Sequence, residues 1–508
     1  MLFILLAVFL FLKLPHLHYP FYWDESWSYA PAIELMYKHG PSLMPNAIDI
    51  FYSRGHPLLF YAAAGAWMRV FGDSHVSQHS FALFLSALLI VSVYEVSRKV
   101  FDRRVALFAA GMLCVQVMFF VQATFLLPEI MVSLFVLLSL YFYYAKKPVA
   151  TFICCTALLL TKESGLVLGL ILGIHSFLYL VLNKKEIFVV RLKMFCSLLL
   201  SGIAIGIFYI IQKKINGWYL FPEHMGMIGH SIYGKFTNYL ELLFYNNNRY
   251  LVYQVLLLLS LTTAIRFQNV WYAASLLPGI AFYVLFANKL PSLPAAVLGA
   301  FVLIALGIGA AMFIRLNKDG KADRFLYPTL YFLAAYLCFS CINFFTGRYV
   351  MCAMVLLLIL TAWYFVRLVD RWPSAMYYGL LGVVILIGLY GFRRDTNLED
   401  TNLGAFNGMR VEEGLVDYME AHHLYDKNIA ASSFQEREHF QKPYTGFLHS
   451  NVVFTHVKVQ IDSATDYIVF DNIEPDTRYE SIEHNTAYKR VYRVSNGNAW
   501  GEIYMRKQ

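Results

Sequence analysis

The stretch Phe21-Tyr22-Trp23-Asp24-Glu25-Ser26-Trp27 stands close behind the first apolar run of the chain, residues 1–12. Two adjacent carboxylates sit there among aromatic rings, in a protein with few acids near its apolar runs. Trp and Tyr favour the membrane–water interface, so the plain reading is an interfacial helix cap in an aromatic belt. The sharper reading is a catalytic base beside a partner carboxylate at the mouth of a polar cavity, since an acid at that depth is costly unless it faces water or a cation. The rest of the chain favours the second.

Of 508 residues, 59% are hydrophobic and only 15% are charged. A soluble domain carries about 25% charged residues, so this is a polytopic membrane protein. The net charge of +8 comes from short basic clusters between apolar runs. That is a topology signal and not a nucleic-acid signature. The seven cysteines (Cys114, Cys154, Cys155, Cys196, Cys338, Cys341, Cys352) fall inside or at the ends of apolar runs, with no disulfide framework and no metal-ligand spacing. Residues 1–12 are shorter than the ~20 of a usual span. Without a basic leader or a small-residue cleavage site they read as a signal anchor.

A loop at 16–78 follows, with short amphipathic helices expected at 30–39 and 58–71. Apolar runs then recur near 79–97, 105–122, 126–145, 148–161, 164–182, 195–212, 250–265, 270–287, 295–314, 326–346, 350–367 and 375–391. Basic clusters at 98–104, 146–147, 184–193, 266, 315–324 and 367–371 occupy alternate loops, which implies about 13 spans with a cytoplasmic N-terminus. The fold class is thus an all-α polytopic membrane domain over 1–391, with 16–78 as its first outer loop. A small C-terminal α/β domain over 392–508 lies outside the cytoplasm. In it we expect a helix at 408–423 and strands at 428–432, 451–459, 467–470, 489–494 and 501–505. The Tyr- and Asn-rich loop 213–249 is a candidate lid.

This topology carries Asp24, Glu25, Arg54, His56, Glu129, Lys162, Glu163, Arg348 and Tyr349 to one outer interface, although they lie far apart in sequence. Each has an ordinary explanation alone: loop polarity for Arg54 and His56, snorkelling for Arg348, a local ion pair for Lys162-Glu163. Glu129 is hardest to dismiss, because Pro128-Glu129 opens an apolar run with no cation nearby in sequence. Together they point to a wet pocket in which cations grip a lipid phosphate and a carboxylate deprotonates an acceptor hydroxyl. No Gly-rich phosphate loop is present, which fits a donor without a nucleotide.

The ordered set Asp24-Glu25, Ser53-Arg54-Gly55-His56-Pro57-Leu58-Leu59-Phe60-Tyr61, Leu127-Pro128-Glu129, Leu160-Thr161-Lys162-Glu163-Ser164-Gly165 and Gly347-Arg348-Tyr349 resembles the GT-C glycosyltransferases of the protein-mannosyltransferase and aminoarabinose-transferase superfamily. The resemblance covers about 1–370, and the C-terminal domain is similar to that of bacterial members. Leu58 and Glu129 depart from the family's usual Pro and Asp. The resemblance implies that Asp24 is the general base or acceptor-orienting acid and that Glu25 supports it. It implies Glu129 as the second-loop acid and places Arg54 and His56 near the lipid phosphate. Lys162, with Glu163 beside it, and Arg348 would contact the polyprenyl phosphate, with Tyr349 lining the site.

The reading is transfer of a sugar from a polyprenyl-phosphate donor to a hydroxyl or phosphate of a protein, lipid or glycan acceptor. The setting is the periplasmic face of a bacterial inner membrane, with membrane lipids as surroundings and no nucleic-acid partner. No cofactor is demanded. A divalent cation remains open, with Asp24 and Glu25 as its candidate ligands. Two rivals stand beside it. A transporter or flippase predicts mid-membrane charges and two related halves, neither of which is seen. An envelope scaffold leaves the converging charges unexplained.

Overall fold

The computed structural model describes residues 1–182, 187–240, 242, 323–368, 373–450, 452–474 and 476–507. The runs expected near 250–265, 270–287 and 295–314, and the far end of the loop 213–249, lie outside the described residues. Among the described residues, five helices are long and apolar enough to cross a membrane: His75–Val100, Glu163–Leu182, Phe188–Asn216, Arg324–Ile342 and Gly347–Arg367. Shorter apolar helices, among them Leu2–His18, Glu129–Tyr144, Pro148–Thr161 and Tyr377–Arg393, stand with them. The protein is a multi-pass membrane protein with a mainly helical membrane domain.

Local chemistry sets the helix ends. Ser74 Oγ accepts from the Ser77 N–H (3.2 Å) to open His75–Val100, and Arg98 and Lys99 lie in its last turn, at the negative end of the helix dipole. Asp102 then accepts from the N–H groups of Arg104 (2.7 Å) and Val105 (3.0 Å), capping the start of Arg103–Cys114. The expected loop helices appear as Ala30–His39 and Leu59–Phe71. They pack so closely that a Cβ on Gly65 would lie 2.7 Å from Met36 Cβ.

The single span expected at 105–122 is instead two helices, Arg103–Cys114 and Val117–Gln122, parted at Val115-Gln116. The physical reason is a crossing. Helix Ser374–Arg394 runs past the break, and its Gly388 meets Val115 where a Cβ would stand 2.5 Å from Val115 Cγ2. The backbone of Gln116 is extended there. Helix Met351–Leu368 packs on Arg103–Cys114 and on Glu129–Tyr144, at the centre of the membrane domain.

The C-terminal part forms a five-stranded sheet of order β2-β1-β3-β5-β4. The strands are β1 (Asn428–Ala430), β2 (His456–Lys458), β3 (Tyr467–Asp471), β4 (Tyr488–Asn496) and β5 (Ala499–Arg506). β1 is parallel to β2 and β3; β5 is antiparallel to β3 and β4. The β4–β5 hairpin turns at Gly497, whose φ of +58° favours glycine. Helix Gly404–Ala421 lies across β4 and β5, and all five strands fall where alternation placed them. This domain sits on the first loop: the Phe21 N–H donates to the Thr445 carbonyl (2.8 Å), and the Trp27 ring meets Phe434 at 6.3 Å.

The Gly388 crossing is testable. G388L must overpack against Val115 and should cost about 1–3 kcal/mol. G379L in the same helix meets open space and should cost little. Thermal unfolding of the detergent-extracted protein should fall for the first variant alone.

Candidate active site

The site is built around Arg348. It lies in the short turn Gly347–Val350, ahead of helix Met351–Leu368. Its side chain is almost entirely buried, so its charge has to be met by partners. Nη2 pairs with Asp24, Nη1 with Asp400, and Nε with Glu129 Oε1 at 3.3 Å. Lys162 Nζ donates to the same Glu129 oxygen at 2.7 Å and rests 4.0 Å from the centre of the Tyr349 ring. Glu129 Oε2 is buried with no hydrogen-bond partner among the described residues. Glu129, Lys162, Ser164, Tyr336, Arg348 and Tyr349 line a pocket together with Val132, Met351 and Cys352.

Each group is placed by its own turn. Asp24 precedes a wide helical turn, Glu25–Tyr29, and Trp27 Nε1 donates back to it at 3.1 Å. Trp23 before it has φ +51°, an uncommon conformation for a bulky residue, which aims the acid inward. Burial pushes the Asp24 carboxyl up, but the Arg348 charge and hydrogen bond, with Lys162 and Trp27, outweigh it and hold it below the ordinary value. Asp24 is therefore a carboxylate at neutral pH. Glu129 opens its helix directly after Pro128, and Lys162 is the extended residue that caps helix Pro148–Thr161.

Glu25 does not join this group. Neighbours along a helical turn do not face each other, and its carboxylate points the opposite way. There it accepts from the N–H groups of Leu126 and of Tyr22 (3.3 Å) and lies 3.5 Å from His79 Nε2. It is fully buried and ties the first loop to the segment before Glu129. The two carboxylates thus diverge and face different partners.

His56 and Glu163 form a second cluster. His56 Nδ1 lies 2.7 Å from Glu163 Oε2, and His224 Nδ1 is 4.0 Å from Glu163 Oε1. One ligand atom from each of the three lies within 4.8 Å of the others, a set able to hold a divalent metal ion. Burial lowers His224 to about 4, so it presents a neutral imidazole. Arg54 borders this cluster, on Glu223 (3.3 Å) and 4.9 Å from the Trp27 ring, and does not reach Glu129.

Of the residues singled out in the sequence, Asp24, Glu129, Lys162, Arg348 and Tyr349 meet directly. His56 and Glu163 adjoin them, Arg54 stands at the rim, and Glu25 lies elsewhere. Asp400 and His224 escaped sequence reasoning. Asp400 comes from beyond the last apolar run, inside a polar stretch with no motif to mark it. Its burial raises the carboxyl to about 6 against the pull of Arg348, with Asp24 adding to the rise.

Residues 55–209 match the family model described as dolichyl-phosphate-mannose-protein mannosyltransferase. No curated protein sequence matches the chain. Among solved structures, ArnT from Cupriavidus metallidurans in the apo state is 15% identical, with 98% of this chain and 97% of that chain covered and a TM-score of 0.45. The same protein bound to undecaprenyl phosphate gives 16%, 98%, 97% and 0.42. The Archaeoglobus fulgidus oligosaccharyltransferase, in complex with Zn and sulfate, gives 14%, with 92% of this chain and 67% of that chain covered and a TM-score of 0.46. Over residues 55–209, which supply His56, Glu129, Lys162 and Glu163 to the site, the chain matches the protein-mannosyltransferase family model.

Proposed function

We propose that this protein transfers a sugar from a polyprenyl-phosphate donor to an acceptor hydroxyl, with inversion, at the periplasmic face of a bacterial inner membrane. The acceptor belongs to a protein, lipid or glycan. The observation that carries the reading is the meeting of Asp24, Glu129 and Lys162 around Arg348, from segments far apart in sequence, at the pocket that Glu129, Lys162 and Arg348 line. Alternation of the basic clusters supports an N-terminus in the cytoplasm and a C-terminal domain in the periplasm.

Asp24 acts as general base. The acceptor hydroxyl gives it a proton while its oxygen attacks C1 of the sugar. The bond from C1 to the phosphate oxygen breaks, and its electron pair leaves with the polyprenyl phosphate. Lys162 and Arg348 take up the charge on that leaving group, in a site where water is scarce and such contacts count most. Glu129 keeps the two cations together, and the Tyr349 ring backs the Lys162 ammonium. Glu25 serves as an anchor of the first loop and not as a reacting group. A divalent cation belongs at His56, Glu163 and His224, where it would add positive charge beside Lys162.

D24N should lower transfer by ~10²-fold or more, the scale of a general base. The measurement is polyprenyl phosphate released by purified protein from a labelled donor; near-normal release would refute the assignment. E25Q should instead lower the unfolding free energy by about 1–3 kcal/mol through weakened buried hydrogen bonds. The turnover of its folded fraction should stay close to wild type. For the cation, metal analysis of protein supplied with Zn²⁺ should find one bound ion that is lost in both H56A and H224A; stoichiometry indifferent to both would refute that site.

A further inference from the structure

The segment after the last apolar helix is built as a strap over the site. Asp395 closes its base, accepting from Asn402 Nδ2 (2.8 Å) and the Leu403 N–H (2.7 Å). Its far side is held by residues of the catalytic loops. Tyr22 Oη (3.2 Å) and Trp23 Nε1 (3.3 Å) donate to the Leu398 carbonyl, and Gln122 Nε2 donates to the Asp400 carbonyl at 2.7 Å. Four side chains thus fix a short stretch that sets the Asp400 carboxylate on Arg348 Nη1.

That carboxylate creates a conflict. Asp24, Glu129 and Asp400 each take one nitrogen of the Arg348 guanidinium. The cluster holds three acids against two cations, so an incoming phosphate competes with a carboxylate at each guanidinium nitrogen. One acid has to yield. Glu129 is also held by Lys162, and Asp24 is also held by Trp27. Among the described residues the Asp400 carboxylate has Arg348 as its one donor. It is the acid that can leave without breaking a second bond.

We propose that Asp400 is a displaceable counter-ion for Arg348: it cedes Nη1 to the donor phosphate and reclaims it after transfer, expelling the spent lipid phosphate. The proposal deepens the function given above and rests on its polyprenyl-phosphate donor. The bookkeeping of charge explains why such a group is needed. The donor is a phosphodiester. When the C1–oxygen bond breaks, the electron pair stays on the phosphate and the acceptor proton goes to Asp24. The product is a phosphomonoester with one more negative charge, so Lys162 and Arg348 hold it more tightly than the substrate. A tethered carboxylate competing for the same edge restores release. The strap runs directly into helix Gly404–Ala421 of the C-terminal domain.

The test compares full-length wild type with D400N, D400E and Q122L in lipid nanodiscs. Polyprenyl-phosphate affinity is measured directly, and multiple-turnover rates are set against single-turnover rates. D400N should bind polyprenyl phosphate about tenfold tighter, the scale of one close charge pair. Its multiple-turnover rate should fall relative to its single-turnover rate. D400E should return both towards wild type. Q122L keeps the carboxylate but loosens the strap, and should move affinity the same way by less; it carries the comparison if D400N does not fold. Tight binding by wild type with equal or weaker binding by D400N overturns this proposal alone. No binding of polyprenyl phosphate by wild type overturns the donor reading and this one with it.

Discussion

A buried guanidinium is the constraint on which the site depends. Arg348 cannot shed its proton, and an unpaired cation at that depth is far more costly than the folded state could bear. It therefore needs acids, and the chain supplies them from the first loop, from the start of helix Glu129–Tyr144 and from the strap after Ser374–Arg394. Packing that brings these three together is packing that has assembled most of the protein. Each acid meets a different nitrogen of the one guanidinium, so the arrangement is specific as well as stable.

The same logic explains why neighbouring acids have different tasks. Asp24 and Glu25 share a turn but face opposite ways. Asp24 keeps a cation and partial access to solvent, which suits a group that takes up a proton. Glu25 is fully buried and answers backbone N–H groups, which suits an anchor. Lys162 and Glu163 divide in a similar way. Lys162 turns to Glu129, while Glu163 turns to His56 and His224. Two clusters of different character thus lie next to each other, one of paired carboxylates and cations and one rich in metal-type ligands.

The C-terminal domain is tied to this centre as well as connected by chain. Its helix Phe434–Gln441 meets the first loop through Phe434 and Trp27, and Trp27 holds Asp24. The Phe406 ring stacks at 5.4 Å on Tyr19, and His16 packs 4.4 Å from the same ring. Lys13, fully buried at the end of the first helix, lies 5.0 Å from the centre of that Phe406 ring. The first loop is clamped between membrane helices on one side and the sheet domain on the other, which holds Asp24 in place.

Much of this was legible in the residues. Hydropathy fixes where apolar helices begin and end because backbone groups have no water partners inside a bilayer. Alternation marks the five strands for the reason that one face of a sheet is buried. The scarcity of charge singled out Asp24, Glu129, Lys162 and Arg348, since a charge near a membrane span is retained only for a partner or a task. What the linear order does not contain is direction. Whether Asp24 and Glu25 share a cation, which atom of Arg348 meets which acid, the break at Val115 and the arrival of Asp400 depend on side-chain vectors and helix crossings. Those are settled only when segments hundreds of residues apart compete for the same buried volume and the same few hydrogen bonds.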